Sequence, residues 1–144
     1  MPVEFDALSA LLMEESSLYA ELEELVEEQM SCIERDDVDG LFSVLARKQE
    51  IIGRQEELVG RWREIASALG LSGGRESPSF WRELLDRLDE ADRSALGELV
   101  SAVRETLSRL IEKEANSRDL LSSKIALVRE HMIAVERGRG MVRG

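Results

Sequence analysis

The feature that most constrains this chain is a helical segment from about Ala91 to Glu136, longer than any other segment able to cover it. Its apolar positions run Leu96, Leu99, Val103, Leu107 and Leu110, pause over a polar stretch, and resume at Leu121, Ile125, Val128, Met132 and Val135. Steps of three and four residues place such positions on one side of a helix. At about 1.5 Å per residue this segment spans ~68 Å, whereas the two upstream helical segments, ~30 residues each, reach only ~45 Å. The last four turns therefore need a covering surface from elsewhere, and a partner chain is the natural source.

The 144 residues suffice for one domain with a core. Aromatic residues make up only 4%, so that core is aliphatic, and 34% of residues are charged, a composition of long helices or coiled coil. No alternating β-branched run is present. The fold class expected is all-α: an elongated antiparallel helical bundle or coiled coil with three long helices and one short one.

Helix one is expected from about Glu4 to Glu34. Leu8, Leu11, Leu18, Leu22, Leu25 and Cys32 form its main stripe, with Glu15 and Gln29 as polar interruptions. Leu12, Tyr19, Val26 and Ile33 widen that face enough to touch two partners. Asp36 or Asp37 is placed to cap helix two, expected over Val38 to Leu69. Its seam reads Val38, Leu41, Leu45, Lys48, Ile52, Gln55, Val59, Trp62, Ala66 and Leu69, repeating at three and four. So short a turn makes helices one and two an antiparallel hairpin.

Gly70 followed by Leu71 marks a helix end, with glycine left-handed and leucine folded back. Ser72 to Glu76 is the flexible loop. Ser77 offers a cap and Pro78 a first-turn residue for the short helix, which carries Phe80, Trp81, Leu84, Leu85 and Leu88. Leu88 to Ser94 breaks it from helix four. Residues 1–136 are read as one bundle domain, with 120–136 as its docking end and 137–144 as a flexible, glycine-rich tail. Glu112 to Asp119 holds only Ala115 as an apolar residue, so core packing is expected to weaken there.

A net charge of −11 disfavours nucleic acid and anionic lipid, which want basic surfaces. No apolar run reaches the ~18–20 residues of a membrane span. The N-terminus lacks a signal-peptide pattern, and one cysteine, Cys32, cannot form an internal disulfide, so the expectation is cytoplasmic. The only histidine, His131, would suit a phosphotransfer bundle, but the lysine such domains keep three residues later is Ala134 here. Metal ligation by Glu-x-x-His fails because Val128 stands three before His131. Glu15 and Glu114 lie near the stripes, where a register-setting polar layer outweighs a carboxylate pair. Gly73–Gly74 lacks the strand and the Gly-Lys-Ser/Thr of a phosphate loop. Cys32 reads as a small buried hydrophobe, Trp62 and Trp81 as core anchors. No enzyme, cofactor or metal is expected.

Three stretches carry a resemblance: LLMEESSLYAELEELVEEQ (11–29), the segment from Ile33 to Gly70 with its ARKQEII (46–52), and NSRDLLSSKIALVREHM (116–132). Together, with Glu14, Glu15, Tyr19, Glu21 and Leu22 matching an E-E-x-x-x-Y-x-E-L run, they resemble the FlgN family of flagellar export chaperones. The chain departs from the family at Ser117, where an asparagine is usual, and at Leu127, where an aromatic is common. The resemblance implies a helical bundle that binds C-terminal helical segments of hook-filament junction proteins and delivers them to the flagellar export apparatus. It puts substrate binding in the last ~40 residues. Leu121, Ile125, Val128, Met132 and Val135 are accordingly the candidate partner-binding residues. The competing reading is a coiled-coil adaptor or stalk protein that forms a homodimer through its last helix.

Overall fold

The computed structural model describes residues 5–71, 73–75 and 77–143, with side chains up to 140. Helix α1 spans Phe5–Glu34, α2 Val38–Leu69, α3 Pro78–Leu85 and α4 Glu90–Arg143. These are the three long helices and one short helix expected, with no strand among the described residues. The start expected at Glu4, the loop positions Ser72 and Glu76, and the tail's Gly144 lie outside the described residues.

Helix α1 is the axis of the bundle, because its apolar surface is wide enough for two neighbours. Leu8, Leu11, Leu18, Leu22 and Leu25 are buried, and so are Leu12, Tyr19, Val26 and Ile33 on the added flank. Both α2 and α4 pack along it. The turn to α2 is tight: Asp36 takes a left-handed φ of 56°, and the Asp37 carboxylate accepts from the Gly40 amide at 2.9 Å. Helix α2 therefore returns antiparallel, and Arg47, Arg54 and Arg61 reach Glu28, Glu21 and Glu14 on α1.

The seam read for α2 needs correction. Val44, Ile51, Leu58 and Trp62 are buried, whereas Leu45 is 38% and Val38 59% exposed. Trp62 belongs to the expected seam, and Leu41, Ala66 and Leu69 of that seam pack on the core, but at alternate positions the line is shifted by one residue, with Val44, Ile51 and Leu58 in the places expected for Leu45, Ile52 and Val59. Two adjacent lines of α2 both repeat at three and four, so periodicity alone does not choose between them. Packing on a single neighbour does.

Gly70 ends α2 in the left-handed conformation, φ 63° and ψ 34°, with the Leu71 amide returning to the Ala66 carbonyl at 3.0 Å. Leu71 then packs on the core. Ser77 caps α3, with Pro78 in the first turn. Phe80 and Leu84 are fully buried, and Phe80, Trp62 and Trp81 meet edge to face at centroid distances of 5.1–6.2 Å. The Asp89 carboxylate accepts from the Asp92 amide at 2.8 Å and opens α4. Arg93 holds the break by donating to the carbonyls of Leu85 and Leu88.

This crossover returns α4 to the N-terminal end of α1, so α4 runs parallel to α1. Leu96, Val100, Val103 and Leu110 are buried on it. Apolar packing thins over Glu112–Asp119 as expected, since Ser117 alone is buried there, but polar contacts to α1 and α2 continue through it. Lys113 bridges Glu23 at 2.7 Å and Glu27 at 2.5 Å, Glu114 meets Lys48 of α2, and Ser117 is fully buried against Gln29. Polar side chains replace aliphatic ones there as the contacts between α4 and its neighbours. The helix also passes the end expected at Glu136 and continues to Arg143. Gly138 and Gly140 each cost only about 1 kcal/mol in a helix, and no proline intervenes.

Candidate functional site

Among the described residues, the last hydrogen bonds between α4 and the rest of the bundle come from Lys124, whose ammonium donates to the Glu34 carbonyl and the Asp36 carboxylate, both at 3.3 Å. Helix α1 ends there. Residues 125–143 continue about 28 Å farther at ~1.5 Å per residue. Leu121 lies just inside the covered span and is 38% exposed. Ile125, Val128, Met132 and Val135 lie beyond it and are 40–59% exposed. All five fall on one stripe of one continuous helix. Leu127 and Ile133 are exposed as well, as is every described side chain from 125 to 140.

The overhang differs in charge from the rest of the chain. It carries Arg129, Arg137, Arg139 and Arg143 against Glu130 and Glu136 in a protein of net charge −11. His131 lies in the same exposed stretch. Among the described residues, no three His, Cys, Asp or Glu side chains are grouped to hold a metal ion, and no helix is long and apolar enough to cross a membrane.

Glu15 and Glu114 are not brought together. Glu114 pairs with Lys48. Glu15, 1% exposed, accepts from the Tyr19 hydroxyl at 2.8 Å and from Arg75, whose guanidinium also lies 4.9 Å from the Trp62 ring centroid. Burial, and then the hydrogen bond to the Glu15 carboxylate, push the Tyr19 hydroxyl up to about 12. The Glu15–Tyr19 spacing of one helical turn was visible in the sequence. Arg75 was not, because a loop residue has no periodicity to place it. Lys124, which sets where the overhang begins, was missed for a related reason: its partners depend on the direction of α4.

A family model described as FlgN protein matches residues 1–140. No curated protein and no solved structure matches the chain significantly.

Proposed function

We propose that this chain, which belongs to the FlgN family and so to a family of flagellar export chaperones, holds the C-terminal helical segments of hook-filament junction proteins on the far end of α4. In this reading it keeps those segments from associating prematurely in the cytoplasm and hands them to the export gate. The role is non-enzymatic. The single observation that carries the docking part is the uncovered stripe Leu121, Ile125, Val128, Met132 and Val135 on a helix that outruns its bundle.

An apolar stripe on an exposed helix is suited to helix-to-helix docking. Its burial contributes on the order of 5–10 kcal/mol before ordering costs, enough for a releasable complex. The test uses the full chain and a C-terminal peptide of a junction protein. Amide exchange over 120–135 should slow only when the peptide is added, and Ile125→Asp with Val128→Asp should abolish binding while thermal unfolding stays unchanged. Protection of 120–135 in the pure protein, together with a concentration-dependent mass, would instead establish the homodimeric adaptor.

A further inference from the structure

A second surface lies at the other end of the molecule. Helices α2 and α4 flank α1 and are tied together by the Lys48–Glu114 pair. Between that pair and the α3 crossover they leave a groove with a cavity of about 970 Å³, floored by Leu12, Glu15 and Tyr19 of α1. Its lining runs from Gln55 to Ala66 on α2, about 16 Å or three helical turns, and from Val100 to Leu107 on α4, about 10 Å or two turns, with Arg75 and Trp81 at the crossover end. Val59 of α2 and Leu107 of α4 line opposite walls, and neither is fully buried. Of the stripe expected to be the α2 seam, Gln55, Val59, Trp62 and Ala66 line this cavity.

The rim is cationic. Arg63 stands on the α2 wall and Arg104 on the α4 wall, both exposed. Other basic residues along these helices, Arg47, Arg54, Arg61, Arg109 and Lys113, pair with glutamates of α1. Among the described residues Arg63 and Arg104 have no hydrogen-bond or ion-pair partner. The floor also has unmet hydrogen-bonding capacity: one Glu15 oxygen and the Trp62 Nε1 are buried without partners, and both residues line the cavity.

We propose that this groove docks an amphipathic helix of a partner protein, apolar on the face that enters and acidic along both flanks. Two parallel walls, about three turns long on α2 and two on α4, with Val59 and Leu107 as their accessible apolar side chains, match the shape of a short helix lying on its side. The arginines on both rims select carboxylates on both flanks. They also exclude the most available apolar helix, the arginine-rich overhang of a second copy, by like-charge repulsion. The groove lies about five turns from the overhang along α4, so both surfaces can be occupied at once.

The chain's only two tryptophans, Trp62 and Trp81, line the cavity and report its occupancy. The probes are two synthetic three-heptad helical peptides with leucine at the core positions, one flanked by glutamate and the other by lysine. The glutamate peptide should shift tryptophan emission saturably, at least about tenfold more tightly than the lysine peptide, a difference of ~1.4 kcal/mol. Arg63→Glu with Arg104→Glu, both exposed changes, should invert the preference, and salt should weaken the glutamate peptide in the unaltered protein. Ile125→Asp with Val128→Asp should leave this binding intact, which separates it from docking on the overhang. Equal affinity for both peptides, salt-independent binding, or loss of binding in the overhang variant would overturn the proposal.

Discussion

The Gln29 side-chain amide donates to the Ser117 hydroxyl at 2.6 Å across 88 residues of sequence, and both groups are buried. Gln29 also accepts from Lys48 at 3.0 Å, so one polar layer joins α1, α2 and α4. An aliphatic layer tolerates sliding, whereas a buried polar one is satisfied in a single register. That layer sets how far α4 projects beyond α1.

Ser117→Ala strands the Gln29 amide donor in a buried site. A loss of about 1–3 kcal/mol is expected, read as a lower denaturation midpoint with unchanged slope. An unchanged midpoint would show that the layer is not what holds the register.

The α2 seam makes a paired prediction. Val44→Asp buries a charge against α1 and should cost several kcal/mol, while Leu45→Asp, one residue on, should cost far less. Comparable losses in the two variants would contradict the shifted seam.

Tyr19 is the only tyrosine, so phenolate absorbance follows it alone. Its midpoint should lie near pH 12 instead of the ordinary value near 10. Because the folded state holds this proton more tightly, the associated stability is complete below about pH 10 and is lost as pH rises through 12. Glu15→Gln removes the carboxylate acceptor and should bring the midpoint down. A midpoint indifferent to that change would refute the assigned cause.

Gly40 is favoured over alanine for a local reason. A Cβ there would come within 2.3 Å of the Asp37 carboxylate oxygen and 3.0 Å of the Cys32 sulfur. Gly40→Ala should therefore cost about as much as losing the cap itself, ~1 kcal/mol or more, despite alanine's better helix propensity. Calorimetry showing stabilisation would rule this out.

The Glu23–Lys113 bridge gives an acid-side expectation. Its hydrogen bond to Lys113 holds the Glu23 carboxyl below the ordinary range. The stability it contributes is present above the unfolded carboxylate's pKa and fades as pH falls through the folded one. Lys113→Met should flatten the acid limb of the stability profile.

The all-α class, both stripes of α1, an aspartate cap for α2 at Asp36 or Asp37, the Ser77 cap, the Gly70 terminus and the uncovered stripe of α4 were all legible in the sequence. Each depends on local chemistry: the period of apolar residues, a side chain in reach of its own backbone, or a glycine that tolerates positive φ. Tertiary structure alone decided the shift of the α2 seam, the parallel course of α4, the Arg75–Glu15 contact and the open groove between α2 and α4. Those depend on which of several equally apolar faces meets which neighbour. Only packing in three dimensions, with every buried polar group seeking its partner, makes that choice.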